Sequence, residues 1–296
     1  MVDAGHEVVA VFTQPDRPKG RGNKESMPPV KEAALRLGIA VHQPERIRRP
    51  EVIAQLQSIA PDVMVVVGYG QIIPQSILDI PPHGIINVHA SLLPKFRGAA
   101  PIQWAIARGE TKTGVTTMRI DAGLDTGDML LKWETVIAGE ETALDLSPRL
   151  ATAGADLLVR TLAELPMIHP EKQDNSQSTY APILKKEDGH IDWRLSSKEI
   201  LDRIRGFQSW PGCYGFWRAQ RFHIWKARPL PRDLVSAGLG PMELQAGELA
   251  AQGGILRAGC ADGSIELLEV QLEGKKRMTA AAFLNGNRIE PRESLA

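Results

Sequence analysis

The chain has 296 residues, 43% of them hydrophobic, which is enough for one large or two ordinary domains with well-packed cores. Its 35 Lys and Arg residues balance 35 Asp and Glu residues, so the overall charge indicates neither a nucleic-acid nor a membrane partner, although a local basic patch stays possible. Two cysteines are too few for a disulfide framework, and no signal-peptide pattern or apolar run of about 18 residues occurs, so we expect a cytoplasmic protein with reduced thiols.

Short apolar runs alternate with helical patterns along the first half of the chain. The patterns predict strands at residues 7–13, 62–67, 84–89, 114–120 and 129–136, and helices at residues 29–37, 74–78, 100–108 and 144–165. The run at 62–67 lacks polar alternation, which is typical of a parallel strand covered on both faces. This order predicts an α/β fold with a doubly wound, mostly parallel, Rossmann-like sheet.

The character of the sequence changes after the long helix. Residues 167–188 are mostly polar without a hydrophobic period, which indicates a linker. Beyond it we predict a helix at 197–207 and short strands at 213–218, 221–227, 254–258 and 263–269, separated by Gly, Pro and Asp. This spacing favours a small, OB-like β-barrel. We therefore expect a doubly wound domain at 1–166, a linker at 167–188 and a barrel domain at 189–296.

The most informative candidate site lies at the end of the strand at 84–89. Side chains on a strand alternate, so Asn87 and His89 project from the same face, at the sheet edge where ligand sites collect. An Asn-x-His pair alone is more often structural, as a turn former beside a satisfied histidine. The Asp- and Gly-rich segment 121–128 alone would be interpreted as a hairpin turn. Together with the first motif, it contributes Asp125 as a third candidate.

Basic residues are concentrated in two places. Residues 16–24 form a Gly-containing basic loop, whose simplest interpretation is an exposed connector. Residues 185–232 contain eleven Lys or Arg against five Asp or Glu, interleaved with Trp193, Trp210, Trp217 and Trp225. Cations with aromatic rings suit a nucleic-acid backbone and its bases, but the tryptophans could equally form a barrel core beneath a solvated surface, the more common arrangement.

Several motifs resemble the methionyl-tRNA formyltransferase family. They are QPDRPKGRG at 14–22, NVH at 87–89, SLLP at 91–94, RGAAPIQ at 97–103, residues 121–128, IDW at 191–193 and VQLEGKKRM at 270–278. The Asn-x-His pair, SLLP and the distal Asp are shared more widely among transferases and hydrolases that use 10-formyltetrahydrofolate. The basic loop, RGAAPIQ and the C-terminal motifs are specific to the tRNA enzymes, and the resemblance covers nearly the whole chain.

The resemblance implies formyl transfer catalysed by three residues. Asn87 would donate its amide to the tetrahedral oxyanion, and His89 would stabilise that oxyanion and carry the proton between the amine and the leaving nitrogen. Asp125 would orient the imidazole, raise its basicity and assist deprotonation of the amine. The donor implied is 10-formyltetrahydrofolate, without a metal. The implied folate-binding residues are Gly68, Tyr69, Gly70, Ser91, Leu92, Leu93, Pro94 and Asp121.

The resemblance also implies a nucleic-acid partner, the acceptor arm of initiator methionyl-tRNA. The loop at 16–27 would order over the acceptor end, and the C-terminal barrel would bind the backbone of the arm with salt-dependent affinity. The implied tRNA-binding residues are Arg21, Lys24, Lys185, Lys186, Arg205, Lys275 and Lys276. No membrane partner is implied, and we expect a monomer.

Members of this family usually begin with a strand, a Gly-Thr-Pro-like turn and a helix upstream of the position of Gly5. Without that central strand, neighbouring backbone edges would lose their pairing, so we expect this chain to be less stable than one extended by the strand. Equal thermal midpoints of the two would contradict this expectation.

Three alternatives stay open on the sequence alone. The chain could formylate a sugar nucleotide or glycinamide ribonucleotide, or hydrolyse formyl-folate. It could be an RNA-binding protein with an inert transferase half, or a folate-binding module without catalysis. The basic second domain disfavours the first, and the intact Asn87, His89 and Asp125 disfavour the last.

Overall fold

The structure, a computed structural model, describes residues 1–19, 24–230 and 244–296. These residues form two compact units. The first unit comprises Met1–Arg97, Gly114–Trp133 and Ala151–Thr179, and the second comprises Gly98–Thr113, Glu134–Leu150 and Tyr180–Ala296. Each unit is therefore assembled from three separate stretches of the chain.

The N-terminal half alternates strands and helices, as the hydrophobic pattern predicts. The strands are β1 (Ala10–Phe12), β2 (Arg17–Lys19), β3 (Lys24–Ser26), β4 (Ala40–His42), β5 (Met64–Val66), β6 (Ile85–His89), β7 (Arg97–Gly98), β8 (Lys112–Arg119) and β9 (Met129–Val136). The helices are α1 (Pro29–Arg36), α2 (Pro50–Ile59), α3 (Gln75–Leu78), α4 (Pro101–Ala107) and α5 (Ala143–Glu164). Proline occupies the first turn of α1, α2 and α4, where its missing N–H costs nothing.

Pairs of parallel strands confirm the α/β class. β1 pairs with β4 in parallel, and a second sheet has the order β5-β6-β8-β9, in which β5 and β6 are parallel and β6 and β8 antiparallel. The expectation that residues 62–67 are covered on both faces is wrong: β5 is only half-buried, and Val67 after it is 64% exposed. The reason is that β5 lies at the edge of its sheet within the described residues.

Helix α5 packs closely on the sheet that carries the candidate site. A Cβ built on Gly154 would lie 3.1 Å from Val88, so the absent side chain brings the helix backbone near β6. About two turns further along the helix, the hydroxyls of Thr161 and Thr117 lie 2.8 Å apart in the buried interface. These contacts hold α5 against the face of the sheet that is opposite to the side chains of Asn87 and His89.

The C-terminal part of the chain is built around an antiparallel sheet. Its elements are β10 (Tyr180–Ala181), α6 (Ser197–Gly206), β11 (Cys213–Trp217), β12 (Gln220–Pro229), β13 (Leu249–Gln252), β14 (Ile255–Cys260), β15 (Gly263–Leu272), β16 (Met278–Thr279) and α7 (Ala280–Gly286). The strand order is β11-β12-β15-β14-β13, with β16 added beside β15. The predicted OB-like β-barrel domain is confirmed as a small domain with an antiparallel sheet, but over the described residues this sheet is open between β11 and β13 and forms no closed barrel.

The core of the second unit contains buried aromatic residues and both cysteines of the chain. Phe207, Phe222 and Phe283 are buried together there with the aliphatic residues of the sheet. Cys213 and Cys260 are also buried and unbridged, and burial raises the pKa of their thiols to about 12 and about 11. Both cysteines are therefore protonated core residues at neutral pH.

Candidate active site

The first unit brings together the three side chains that the sequence singles out. Strand β6 carries Asn87 and His89, and its backbone pairs with β5 on one side and β8 on the other. His89 is 5% exposed and Asn87 is half-buried. Asp125 reaches them from the loop between β8 and β9. Its Oδ2 lies 3.7 Å from His89 Nδ1, and its Oδ1 lies 3.5 Å from Asn87 Nδ2.

The second nitrogen of His89 has a fixed partner. Nε2 lies 2.9 Å from the carbonyl oxygen of Phe96, which can only accept a hydrogen bond. The proton of the neutral imidazole is therefore assigned to Nε2, and the lone pair at Nδ1 faces the carboxylate of Asp125. An imidazolium protonated at Nδ1 would lie 3.7 Å from the Asp125 carboxylate, within ion-pair distance, so Asp125 is placed to stabilise positive charge on His89.

The loop that follows β6 is fixed against β8. The hydroxyl of Thr116 donates to the carbonyl of Ser91 at 2.7 Å and accepts from the backbone N–H of Leu93 at 3.2 Å. The side chains of Ser91 and Leu93 are buried, whereas Leu92 and Pro94 are partly exposed. Of these four predicted folate-binding residues, only Leu92 and Pro94 present side-chain surface to a ligand.

The other predicted folate-binding residues lie on two loops of the first unit. Gly68 and Gly70 have φ values of +57° and +77°, and a Cβ at either would have no heavy atom within 4 Å among the described residues. Tyr69 between them is half-buried, and its carbonyl accepts from Gln14 Nε2 at 2.9 Å. The carboxylate of Asp121 accepts from the N–H of Gly123 and the hydroxyl of Thr126, at 3.0 and 2.7 Å, so it shapes its own loop.

The predicted tRNA-binding residues fall into three groups. Arg21 and the side chain of Lys24, whose backbone belongs to β3, lie outside the described residues. Four lysines are exposed in the second unit: Lys185, Lys186, Lys275 and Lys276. The side chain of Arg205 is only 18% exposed, and its guanidinium donates to Asp202 Oδ1 at 2.5 Å and to the carbonyl of Glu141 at 2.9 Å.

Of the four tryptophans in the basic region, two are core residues and two have at least partly exposed rings. Trp193 and Trp217 belong to the core of the second unit. Trp225 is half-buried, stacks on His223 and lies 5.3 Å below the guanidinium of Arg277, whereas Trp210 is 51% exposed. The core interpretation holds for the first pair, and Trp225 alone of the second pair combines an aromatic ring with an adjacent cation among the described contacts.

Three residues near the site were not singled out from the sequence. Gln173 and Thr179 lie in the segment interpreted as a linker, yet both bond to the loops around the cluster, and Phe96 contributes only its backbone. These contacts join residues far apart in sequence, and a single sequence carries no periodic signal for them.

The described part of the chain contains neither a metal-binding cluster nor a membrane-spanning helix. Over residues 1–19, 24–230 and 244–296, no group of three or more His, Cys, Asp or Glu side chains is arranged to bind a metal ion. In the same residues, no helix combines the length and apolar character needed to cross a membrane.

Comparison with known proteins gives consistent results. Two family profiles match, formyl transferase at residues 2–162 and formyl transferase C-terminal domain at residues 183–288. Methionyl-tRNA formyltransferase from Solibacter usitatus (strain Ellin6076) is 57% identical over 302 residues, covering 100% of this chain and 93% of that protein. The same enzyme from Koribacter versatilis (strain Ellin345) is 56% identical over 299 residues, with coverages of 100% and 93%.

A solved structure adds similarity of fold. HypX from Aquifex aeolicus, crystallised in complex with tetrahydrofolic acid, has a TM-score of 0.58 at 17% identity, covering 88% of this chain and 45% of that chain. At this identity the likeness concerns the fold alone. The full-length identity to the two curated relatives and the two family profiles lead to one conclusion. The chain belongs to the methionyl-tRNA formyltransferase family.

Proposed function

We propose that this chain transfers the formyl group of 10-formyltetrahydrofolate to the α-amino group of methionyl-initiator tRNA. One observation carries the proposal: Asn87, His89 and Asp125 converge at the end of β6 in a chain that is 57% identical over its whole length to a methionyl-tRNA formyltransferase. An amide donor, an imidazole and a carboxylate are the groups that acyl transfer between two nitrogens requires.

The reaction needs an oxyanion stabiliser and a proton carrier. The α-amine attacks the formyl carbon, the bond from that carbon to the folate nitrogen breaks, and the proton lost by the amine is taken up by the departing nitrogen. In our proposal Asn87 donates its amide N–H to the oxyanion of the tetrahedral intermediate. His89 accepts and returns the proton at Nδ1, and the carboxylate of Asp125 stabilises the imidazolium formed in between.

The formyl donor fits the loops beside this cluster. We assign it to Gly68, Tyr69, Gly70, Ser91, Leu92, Leu93, Pro94 and Asp121. The open backbone at Gly68 and Gly70 allows a flat ring to approach closely. Burial raises the pKa of Tyr69, which keeps its phenol protonated and able to donate a hydrogen bond. Binding of tetrahydrofolic acid by HypX, which shares the fold, is consistent with this assignment.

The acceptor is assigned to the basic residues of the chain. We propose that Arg21, Lys24, Lys185, Lys186, Lys275 and Lys276 contact the acceptor arm, because cationic side chains release counterions from phosphates on binding. Arg205, which is already paired with Asp202, would contribute mainly by holding its helix in place. In domain terms, we propose a catalytic domain at 1–166, a linker at 167–188 and a tRNA-binding domain at 189–296.

We also propose an oligomeric state and a cellular location for the protein. The three catalytic candidates come from a single chain, so the cluster needs no second copy, and we propose that the protein acts as a monomer. We place it in the cytoplasm, where initiator tRNA is charged and used.

A transfer assay tests the proposed function. Formylation of methionyl-initiator tRNA by 10-formyltetrahydrofolate is measured for the wild type and for His89→Ala, with elongator methionyl-tRNA as a second acceptor. We expect turnover by the wild type and a fall of about 10² to 10⁴-fold in kcat/KM for the variant, the usual contribution of a general base. Wild-type turnover only with a sugar nucleotide, with glycinamide ribonucleotide or with water as acceptor would contradict the proposal, as would tRNA binding without turnover.

A further inference from the structure

We propose that Gln173 is a positioning residue of this enzyme, which sets the place of Asp125 relative to His89 without touching the reacting atoms. The inference rests on the proposed function for its kinetic consequences, and its geometric basis is independent of it. It concerns a side chain in a polar segment that the sequence pattern assigned to a linker.

The amide nitrogen of Gln173 fixes the backbone of the Asp125 loop. Nε2 lies 2.8 Å from the carbonyl oxygen of Asp125 and 2.8 Å from that of Gly127. Asp125 has a φ of +51°, a left-handed conformation that residues other than glycine rarely adopt. Two donated hydrogen bonds thus stabilise the conformation that directs the Asp125 carboxylate toward His89.

The amide oxygen of Gln173 is fixed as firmly as the nitrogen. Oε1 accepts from Arg97 Nε at 2.9 Å and from Arg97 Nη2 at 2.8 Å, and Nη2 also donates to Asn175 Oδ1 at 2.8 Å. A guanidinium has only donors and the two carbonyls have only lone pairs, so the amide fits in one orientation alone. Arg97 is 9% exposed, which shields these bonds from competition by water.

The same segment also fixes the partner of His89. The hydroxyl of Thr179 accepts from the backbone N–H of Phe96 at 2.9 Å, and the carbonyl of Thr179 accepts from the N–H of Arg97 at 2.9 Å. Phe96, at a φ of +61°, presents the carbonyl to which His89 Nε2 bonds at 2.9 Å. Gln173 and Thr179 therefore fix the two backbone positions on which the His89–Asp125 distance depends.

The substitution Gln173→Glu distinguishes the hydrogen bonds of the amide nitrogen from those of the amide oxygen. Gln173→Glu keeps oxygens that accept from Arg97 but removes the N–H groups that bond to the carbonyls of Asp125 and Gly127. Gln173→Met removes both sets of bonds. Gln177→Ala is the matched control, since Gln177 lies in the same segment and bonds through Nε2 to Asp174 Oδ2 at 2.9 Å on the exposed surface.

The experiment measures kcat and both KM values of formyl transfer together with thermal midpoints. We expect Gln173→Glu to lower kcat by about 10- to 100-fold with KM values within about twofold, because displacement of a catalytic group by a fraction of an ångström acts on the transition state. Gln173→Met should lower kcat at least as far, and Gln177→Ala should leave it unchanged. Wild-type kcat in Gln173→Glu would overturn the inference. A kcat loss that merely follows a loss of folded protein would also overturn it.

A second readout works without turnover. The ¹⁵N chemical shifts of the His89 ring, recorded in the full chain, report the surroundings of Nδ1 and Nε2 separately. We expect the Nδ1 signal to move in Gln173→Glu and to stay in place in Gln177→Ala. An unchanged Nδ1 signal overturns the positioning role, whereas a wild type that formylates no methionyl-tRNA overturns the proposed function and leaves this result to stand.

Discussion

Position 125 demands two properties from one side chain. The residue there must tolerate a φ of +51° and must also place an anion 3.7 Å from His89 Nδ1. Asp and Asn enter the left-handed region several times more readily than other non-glycine residues, and of the two only Asp carries charge. A glutamate would supply the charge but not the conformation, so the backbone restricts this position as strongly as the chemistry does.

The substitution Asp125→Asn separates charge from conformation. Asn accepts the same backbone angles and has nearly the same shape, so we expect the thermal midpoint to stay close to that of the wild type. Loss of the carboxylate removes the group that stabilises a proton on His89, and kcat/KM should fall by about 10² to 10⁴-fold. Steady-state kinetics and thermal unfolding of the same preparations measure both quantities.

Asp128→Asn provides the control for that experiment. It removes an acid from the same loop, at a residue whose backbone carbonyl accepts from the N–H of Arg119. We expect wild-type kinetics from it. An equal loss of activity in both variants would show that the net charge of the loop matters, and not the carboxylate beside His89.

At the scale of elements, hydrophobic period and proline placement predict most helices and strands. Residues 129–136 match β9 to the residue, and the predicted helix at 144–165 differs from α5 by one residue at each end. The prediction missed helices α2 and α7 and seven strands of two to four residues: β2, β3, β4, β7, β10, β13 and β16. Helix α2 carried a usable signal, because Pro50 begins it and Val52 and Leu56, one turn apart, are its buried residues.

Some residues of the candidate site could be predicted from the sequence pattern, and others could not. The period of a strand suffices to place Asn87 and His89 on one face. The segment of Asp125 alone indicates a turn, and it was the family resemblance that joined Asp125 to them. Gln173 bonds to residues 46 and 76 positions away, and such contacts depend on the whole fold and not on any local pattern.

We expect His223 on strand β12 to make the stability of the second unit depend on pH. His223 on this strand stacks on Trp225 and lies 5.7 Å from the ring of Tyr214, and burial, aided by the nearby Arg221, lowers its pKa, with Glu273 acting in the opposite direction. A histidine with a lowered pKa in the folded state takes up protons more readily when unfolded. It therefore costs no stability above its ordinary pKa of about 6.5 and destabilises the fold as the pH falls below that value.

Comparison with His223→Gln isolates this effect. We expect the thermal midpoint of the wild type to fall relative to that of the variant between pH 7 and pH 5, with a constant difference above pH 7. Thermal unfolding followed by circular dichroism across this range measures the difference. Parallel curves over the whole range would contradict the assignment to His223.

On the scale of the whole molecule, the formal net charge is zero, but the charged residues are unevenly distributed. The chain has as many acids as bases, while Lys185, Lys186, Lys275 and Lys276 are exposed in the second unit. An acceptor that carries many phosphates can therefore be attracted locally without general polyanion binding. The contribution of each lysine to tRNA binding is measured more directly by the salt dependence of the affinity than by the affinity at one salt concentration.

A double substitution, Lys275→Gln with Lys276→Gln, tests this surface. We expect weaker binding of initiator tRNA and a slope of log K against log salt that is reduced by about 1 to 2, the value for one or two lost phosphate contacts. Lys112→Gln serves as control, because Lys112 is exposed and paired with Glu134 at 2.8 Å. Filter binding at several salt concentrations gives the slopes, and equal slopes for the double variant and the wild type would remove these two lysines from the interface.

Because both native thiols are buried, we expect the folded chain to react very slowly with sulfhydryl reagents. Thiolate is the reactive form, and with pKa values of about 12 and about 11 almost none is present at Cys213 or Cys260 at neutral pH. A cysteine introduced on the surface outside the proposed contacts, for example by Lys112→Cys, would then be the one site that a maleimide dye modifies. The wild-type sequence thus serves directly as a background for single-site fluorescent labelling, and acceptor docking can be followed in real time without first removing native cysteines.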